Sequence, residues 1–177
     1  MHHLLQKAIE IAERAHAGQT DKAGKPYIGH PIRVMNAGQT LDEKIVGVLH
    51  DAVEDSDLTL ETLAAQGFSV GVIAAVDAIT RREGEEYEAY LQRVMSNELA
   101  LRVKIADMTD NMNLSRIETP TEKDVARLEK YASVLPRLNA ALQAFNANPY
   151  CAVSSFAERQ KKPYISADAI NTKQAFL

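Results

Sequence analysis

The sequence predicts an all-α protein built from seven or eight helices. Apolar residues recur three and four positions apart along nearly the whole chain up to residue 147, a spacing that places them on one face of a helix. Runs that alternate apolar and polar residues, as expected for a half-buried strand, are hard to find. The length of 177 residues favours one domain, and a hydrophobic fraction of 46% is sufficient for a core.

Glycine, proline and short polar stretches divide the apolar pattern into separate helices. Proline is tolerated in a first turn and glycine commonly follows a last turn, so Pro26 or Pro31 can begin the second helix and Gly38 can end it. Pro136 should kink or divide the last helix, because it lacks an N–H and clashes with the preceding turn. In chain order, the pattern predicts helices over residues 4–15, from Pro26 or Pro31 to Gly38, and over 42–55, 60–65, 70–80, 87–95, 99–112 and 123–145.

The breaks between these helices have recognisable residues. Gly18 follows the apolar residues of the first helix and ends that helix. Gly67 separates the two short helices that come after the third helix. The charged segment 81–86 contains a glycine and is expected to be an exposed loop. Pro120 interrupts the chain before the long last helix.

The segment 148–177 does not continue the helical pattern. It contains two prolines, two adjacent serines and scattered aromatic residues that follow neither a helical nor a strand period. We therefore expect residues 1–147 to form the domain and residues 148–177 to form an irregular arm. The arm would pack on the domain or on a second subunit, which leaves a homo-oligomer open.

Composition excludes several classes of protein. Twenty Lys and Arg against 24 Asp and Glu give a net charge of −4, whereas general nucleic-acid binding needs a basic face. No apolar run approaches 18 residues, so we expect no membrane span. The first residues lack a signal-peptide core and the single Cys151 excludes an internal disulfide, so a cytoplasmic location is expected.

The densest cluster of polar side chains lies in the segment VLHDAVEDSD. On a helix, His50 and Glu54 lie four positions apart, as do Asp51 and Asp55, so the four side chains project over neighbouring turns. The solvated end of a surface helix is one interpretation. However, acidic residues near a helix C-terminus cost about 0.3–1 kcal/mol each, a cost that a bound metal cation would offset.

Two further residues extend this cluster to a candidate metal site. His30 lies in PYIGHPIRV, and Asp107 is a carboxylate within the apolar run VKIADMTDN. Together with His50 and Asp51 they supply two imidazoles and two carboxylates. This ligand set suits Mn²⁺, Fe²⁺, Co²⁺ or Zn²⁺ better than Ca²⁺.

The order of these motifs resembles that of the HD-domain metal-dependent phosphohydrolases. In more detail, three segments resemble the hydrolase half of the RelA/SpoT homologue family, whose stand-alone members are the small alarmone hydrolases. The resemblance covers about residues 8–117. The segments are AHAGQTDKAGKPYIGHPIRV, VLHDAVEDSDLTLETL and VKIADMTDN.

The resemblance implies an activity and a role for each matching residue. The family uses Mn²⁺ to hydrolyse the 3′-pyrophosphate of guanosine tetraphosphate or pentaphosphate, giving GDP or GTP and pyrophosphate. Glu54 and Asp55 match the acidic pair that positions and activates the attacking water. The implied metal ligands are His30, His50, Asp51 and Asp107, and the implied nucleotide contacts are Lys22, Tyr27 and Asn111.

The sequence departs from the family at positions that contact the nucleotide. Asp21 replaces the arginine of an Arg-Lys pair that reaches the guanine base, and Leu114 replaces a threonine. The family's Arg-Leu-His-Asn becomes residues 108–111, Met-Thr-Asp-Asn. These changes leave two alternatives: hydrolysis of another nucleotide or of NADPH, and a non-catalytic module that binds an alarmone.

Several further polar residues have more than one interpretation. Asp110 could support Asp107 or be exposed, and His16 is expected to pack beside the site rather than to bind metal. Tyr87 and Tyr90 are expected to pack. The basic residues that could line the mouth of a pocket are Arg81, Arg82 and Arg116.

Overall fold

The structure is a computed structural model that describes residues 2–116 and 120–147. These residues form eight α-helices and one short 3₁₀ turn, with a single isolated β-bridge as the extended structure among them. The all-α prediction is confirmed. The helices are α1 (His3–Ala15), α2 (Gly29–Ala37), α3 (Leu41–Leu49), α4 (Leu60–Ala65), α5 (Val70–Ile79), α6 (Tyr87–Met95), α7 (Glu98–Asn111) and α8 (Glu122–Ala147), and the 3₁₀ turn is Leu114–Arg116.

The segment 148–177, with Cys151, lies outside the described residues, so the division into a domain and an arm stays a prediction. No helix in the described part of the chain is both long and apolar enough to cross a membrane.

Threonine, serine or asparagine side chains cap the starts of four of the helices. The side chain of Thr40 accepts a hydrogen bond from the Glu43 amide at 3.1 Å, and Thr59, Ser69 and Asn97 make the equivalent bond at the starts of α4, α5 and α7. Each cap satisfies an amide that has no partner within its helix, which stabilises the helix by about 1 kcal/mol. These caps explain why the helix starts agree closely with the apolar pattern.

The third helix is shorter than the sequence predicts. It ends at Leu49, and residues 51–57 form turns rather than the expected continuation to Asp55. The Ala52 amide donates to the Leu49 carbonyl, three residues earlier, which tightens the chain, and the His50 ring bonds to the Gly47 carbonyl. The expectation of a helix to Asp55 is therefore wrong.

Proline does not divide the last helix. Helix α8 runs as one element from Glu122 to Ala147 with Pro136 inside it. Leu138 is fully buried, and Leu135 packs against the same cluster. This packing on α6 and α7 keeps the helix continuous across the backbone bond that proline removes, so the expected division is wrong.

Two hydrophobic clusters meet at α7. Helices α1 to α5 build the larger cluster, to which α7 contributes Ala100 and Val103. Helices α6 and α8 build the smaller one, to which α7 contributes Leu101 and Met108. Because α7 is packed on both sides, the polar residues of its C-terminal half are held between the two clusters.

Helices α2 and α3 approach each other closely at Gly47. A Cβ atom at this position would lie 3.0 Å from Cα of Met35 and 3.1 Å from its backbone nitrogen. Only glycine permits this approach without a shift of the backbone. The contact brings the start of α2, which carries His30, next to the end of α3, where His50 lies.

Candidate metal centre and active site

A cavity of about 420 Å³ lies where the loop 19–28, α2, the end of α3, α7 and α8 meet. All four residues expected to bind a metal and all three expected nucleotide contacts line it. Glu54 also lines it, whereas Asp55 does not. The lining comprises Thr20, Asp21, Lys22, Ala23, Tyr27, His30, Arg33, His50, Asp51, Glu54, Ile79, Arg81, Tyr87, Tyr90, Lys104, Asp107, Asn111, Asn113, Arg127, Lys130 and Tyr131.

Two imidazoles and two carboxylates converge on one side of this cavity. The Nε2 atom of His30 lies 3.1 Å from Oδ1 of Asp107, and the Nε2 atom of His50 lies 3.0 Å from Oδ2 of Asp51. The two cross distances, from each ring to the other carboxylate, are both 3.7 Å. His30, His50 and Asp107 each offer one ligand atom within 4.8 Å of the others, a spacing that one cation can bridge.

Hydrogen bonds on the far side of each ring fix its tautomer. The Nδ1 atom of His50 lies 2.8 Å from the Gly47 carbonyl oxygen, which can only accept, so Nδ1 carries the proton. The Nδ1 atom of His30 likewise donates to the Asp110 carboxylate at 2.7 Å. In both rings Nε2 therefore faces the carboxylates in the cavity, where it can bind a cation once it carries no proton.

This arrangement requires a positive charge at its centre. The Nε2 atom of His50 is buried and has no hydrogen-bond partner among the described residues, although carboxylate oxygens of Asp51 and Asp107 lie 3.0 and 3.7 Å away. Although burial lowers the pKa of His50, the charges of Asp51 and Asp107 raise it to about 10. A proton or a divalent cation would satisfy the same four atoms, so the residues present fit a metal ion.

The carboxylates of the centre stay ionised despite their burial. Burial and the nearby Asp107 raise the pKa of Asp51, but His50 and the Tyr27 hydroxyl lower it to about 2. Burial also opposes ionisation of Asp107, yet the Lys104 ammonium and both histidines hold its pKa well below the usual range. Ionised carboxylates are the form that binds a metal.

Three donors orient these carboxylates. The Tyr27 hydroxyl donates to Oδ2 of Asp51 at 2.5 Å, and the Asn111 amide donates to Oδ1 of Asp107 at 2.6 Å. Lys104 donates to Oδ2 of Asp107 at 2.8 Å. Two of the three expected nucleotide contacts thus hold the metal-site carboxylates in place in this structure.

The structure separates the two acids of the expected water-activating pair. The Glu54 side chain faces the cavity and accepts a hydrogen bond from the Arg81 amide at 2.9 Å. Asp55 borders a different surface depression with Ile11 and Arg14. Burial and the charge of Asp51 raise the pKa of Asp55 above its ordinary value.

Basic side chains line the rest of the cavity. Lys130 lies over the Tyr87 ring, with Nζ 3.5 Å from the ring centre, and the Arg81 guanidinium lies 5.8 Å from it. Neither cation pairs with a carboxylate within the described ranges. Lys22 forms an ion pair with Asp124 at 2.5 Å, although half of its side chain is exposed. The cavity is therefore lined by cationic side chains as well as by carboxylates. We call Arg81 and Lys130 its basic wall.

The structure also locates the other residues that the sequence left open. Arg82 pairs with Asp77 at 3.2 Å and does not line the cavity, and the side chain of Arg116 is outside the described part. Tyr90 packs as expected and donates to the Ile79 carbonyl, while Tyr87 has a buried hydroxyl with no partner among the described residues. His16 packs beside Tyr27, 5.0 Å between ring centres.

Two of the departures from the family pattern can now be placed. Asp21 borders the cavity, but its Oδ1 accepts from the amides of Ala23 and Lys25, each at 2.9 Å. Asp21 therefore closes a turn of the loop that carries Lys22. Leu114 lies on the 3₁₀ turn and does not line the cavity.

Sequence reasoning missed several cavity residues. Lys104 lies three positions before Asp107 on α7, a spacing at which two helical side chains meet, so this pair could have been found. Arg127, Lys130 and Tyr131 lie on α8, and nothing in their local sequence indicates which cavity they face. Their place depends on the packing of α8 against α6 and α7.

Comparisons with known proteins agree with this fold. No family model matches the chain. It is 32% identical to a probable GTP pyrophosphokinase of Mycobacterium leprae and 34% identical to a guanosine-3′,5′-bis(diphosphate) 3′-pyrophosphohydrolase of Vibrio cholerae. Each match covers 76% of this chain but only 19% and 21% of the relatives, so the chain spans about a fifth of the length of the curated relatives it matches.

A solved structure shows the same architecture. It is described as a metazoan ortholog of SpoT that hydrolyses ppGpp and plays a role in starvation responses. The match has a TM-score of 0.65 at 23% identity and covers 90% of this chain and 97% of the other. In sequence the chain is therefore similar to a segment of proteins named as a GTP pyrophosphokinase and a 3′-pyrophosphohydrolase, and its fold is that of the SpoT ortholog, in line with the resemblance of its motifs.

Proposed function

We propose that this chain is a Mn²⁺-dependent hydrolase that removes the 3′-pyrophosphate of guanosine tetraphosphate or pentaphosphate. The observation that carries the proposal is the convergence of His30, His50 and Asp107 within 4.8 Å in a cavity that Arg81 and Lys130 also line. Such a cavity can hold a divalent cation and a polyphosphate together. The relative of Vibrio cholerae, which is named for this activity, supports the choice of substrate.

The cation would be held by His30, His50, Asp51 and Asp107. Two imidazoles and two carboxylates without a thiolate favour Mn²⁺, and other divalent transition metals suit the same ligands. When bound, the cation polarises a phosphoryl oxygen and lowers the pKa of a bound water. The chain supplies ionised carboxylates and two Nε2 atoms that face the cation site, and a bound cation would take the place of the proton that the raised pKa of His50 favours.

Glu54 is the carboxylate placed to take the proton of the attacking water. It faces the cavity, and the Arg81 amide holds one of its oxygens, which leaves the other oxygen for the water. A general base of this kind contributes about 10²- to 10⁴-fold to the rate. Asp55 does not line the cavity, and burial and the charge of Asp51 raise its pKa. We therefore assign it a smaller, supporting effect.

The basic wall of the cavity would bind the phosphates of the substrate. Arg81 and Lys130 face the cavity without a carboxylate partner within the described ranges, and hydrogen bonds from charged groups to phosphate are strong. Lys22 reaches the same cavity from the loop and would exchange Asp124 for a phosphate oxygen. Tyr27 and Asn111 would contact the nucleotide beside the carboxylates that they orient.

A second candidate is hydrolysis of another nucleotide or of NADPH by the same centre. The observation that favours it is Asp21, a carboxylate on the cavity lining at the position where the resemblance leads us to expect an arginine for the guanine base. A carboxylate there would change base selection without affecting the metal ligands. A cytoplasmic location and a homo-oligomer stay predictions from the sequence.

A product assay separates these candidates. Purified protein with Mn²⁺ is incubated with guanosine tetraphosphate, NADPH or simple nucleotides, with and without a chelator, and the products are separated by chromatography. We expect GDP and pyrophosphate from the tetraphosphate, and no product when the chelator is present. Faster release of phosphate from NADPH would favour the second candidate, and unaltered bound tetraphosphate would indicate a binding module.

A further inference from the structure

We propose that Asp110, clamped by Arg33, is a positioning residue that fixes His30 as a metal ligand; the inference rests on the metal centre of the proposed function. In the family motif Arg-Leu-His-Asn, which the chain resembles, a histidine stands at this position. This chain has the carboxylate of Asp110 there. The three side chains join α2 to α7 immediately behind the cavity.

The geometry of this contact is that of a bidentate clamp on a histidine. Oδ2 of Asp110 accepts from Nδ1 of His30 at 2.7 Å and from a terminal nitrogen of Arg33 at 3.1 Å. Oδ1 of Asp110 accepts from Nε of Arg33 at 2.8 Å. Arg33 lies three positions after His30 on α2, so both donors come from one face of that helix.

The clamp determines which nitrogen of His30 faces the cavity. Because an ionised carboxylate can only accept, the proton stays on Nδ1 and the lone pair of Nε2 points toward Oδ1 of Asp107, 3.1 Å away. Arg33 engages both oxygens of Asp110 and thereby holds that carboxylate against the ring. A carboxylate on the far nitrogen of a histidine ligand also makes the ring a stronger donor to a cation.

The two histidines of the centre are therefore supported by different chemistry. His50 donates to the Gly47 carbonyl, a neutral acceptor within its own turn. His30 donates to a charged carboxylate from another helix. A change at Asp110 should consequently act on one ligand of the centre and leave the support of the other ligand in place.

If the pair of Asp110 and Arg33 only joined α2 to α7, its loss would change the melting temperature of the protein and not its affinity for Mn²⁺. The two roles are separated by the affinity for Mn²⁺, measured by isothermal titration of metal-free protein, together with the melting temperature of that metal-free protein. The test variant is Asp110→Asn, which keeps the size of the side chain and removes its charge. The matched control is Glu98→Gln, which removes the carboxylate of another pair on α7, with Arg102 at 2.8 Å and no contact with the cavity.

We expect Asp110→Asn to weaken Mn²⁺ binding by about 10- to 100-fold, the range for partners of metal-bound histidines. Glu98→Gln should bind within about twofold of the unaltered protein, and the melting temperatures of the metal-free proteins should agree. Arg33→Gln tests the clamp from its more exposed end and should weaken binding in the same direction. It serves as the decisive variant if Asp110→Asn does not fold.

Unchanged Mn²⁺ affinity in Asp110→Asn, or in Arg33→Gln where that variant decides, would overturn the inference. So would equal losses in the Asp110 variant and in the Glu98 control. No substrate enters this titration, so its outcome is independent of the product assay. The inference can fail while the hydrolase activity stands, and it can hold if the substrate is a different nucleotide.

Discussion

The two histidine rings of the metal centre present the same nitrogen to the cavity, although different partners hold them. A backbone carbonyl fixes His50 and a carboxylate from α7 fixes His30. Both direct Nε2 toward ionised carboxylates, and a cation there would take the place of the proton that these carboxylates favour on His50. At the scale of single residues, the centre is thus prepared for a cation before one binds.

Removing a ligand should abolish metal binding and turnover together. In His50→Ala or Asp107→Ala, one of the three atoms that lie within 4.8 Å of one another is lost, and the remaining carboxylates keep an uncompensated charge. We expect metal analysis of the purified variants to find no bound Mn²⁺, and turnover to fall to the level seen with chelator. His3→Ala, at an exposed residue at the start of α1, is the control. Full activity of either site variant with normal metal content would contradict the assignment.

The two acids after the metal ligands should differ in their effect on the rate. Glu54→Gln removes the carboxylate that faces the cavity, so we expect a loss of about 10²- to 10⁴-fold in kcat with Mn²⁺ affinity retained. Asp55→Asn changes a side chain outside the cavity and should lower kcat by less. Steady-state kinetics and a Mn²⁺ titration of both variants measure this; an equal or greater loss in the Asp55 variant would contradict the assignment of the base.

Residue chemistry explains which parts of the centre could be predicted from the sequence. Histidine and aspartate within apolar segments indicate His30, His50 and Asp107 as candidate ligands, and the resemblance to the family implies that role for them. The division between Glu54 and Asp55 could not be foreseen, because it depends on α3 ending at Leu49. A helix continued to residue 55 would have placed the two acids differently.

At the scale of elements, a close approach of two helices supports the proposed metal centre. Gly47 on α3 lies against the backbone of Met35 on α2, and these two helices carry the two histidines. A methyl group at position 47 would have to push α2 away. The distance between the two Nε2 atoms depends on that contact.

We expect Gly47→Ala to destabilise the protein and to weaken metal binding. The added Cβ would lie 3.0 Å from Cα of Met35, and relief of such overpacking typically costs about 1–3 kcal/mol. Denaturant unfolding and a Mn²⁺ titration measure the two effects. The control is Gly71→Ala on α5, where the nearest atom is the Ser69 hydroxyl oxygen at 3.8 Å; alanine there should stabilise the helix by about 0.5–1 kcal/mol. Unchanged stability and affinity in Gly47→Ala would refute the role of this contact.

Most helix boundaries follow from local chemistry, and the exceptions have physical causes. Thr40, Thr59, Ser69 and Asn97 can be recognised as caps from the sequence because their side chains bond to amides three residues ahead. The continuity of α8 through Pro136 could not be predicted, since it depends on burial of Leu138 between helices that are distant in the chain. Rules based on local sequence therefore fail where packing against other helices determines whether a helix continues.

At the scale of the whole molecule, the distribution of charge matters more than its sum. The net charge is −4, yet the cavity holds Arg81 and Lys130 opposite the carboxylates of the metal centre. A cation bound by those carboxylates would offset part of the negative charge near the site. A polyphosphate is therefore compatible with an acidic protein. The packing of α8 brings Lys130 to the cavity, and the segment that follows α5 brings Arg81.

Neutralising the basic wall should weaken substrate binding and leave metal binding intact. For Arg81→Gln or Lys130→Gln we expect KM for the tetraphosphate to rise by about tenfold or more, because each variant removes a charged donor to phosphate. The Kd for Mn²⁺ should not change. Arg82→Gln is the matched control, since Arg82 is adjacent in sequence but pairs with Asp77 outside the cavity; an equal rise in KM for this control would contradict a specific role of the wall.

Turnover of guanosine tetraphosphate during metal reconstitution tests the central claim most directly. The protein is stripped of metal, Mn²⁺ is added back stepwise, and GDP and pyrophosphate are quantified at each step. The account predicts no product without metal. Activity should rise and saturate as Mn²⁺ fills the site formed by His30, His50, Asp51 and Asp107, and the two products should appear in equal amounts. Equal turnover in stripped and reconstituted protein, or no release of pyrophosphate at saturating Mn²⁺, would contradict it.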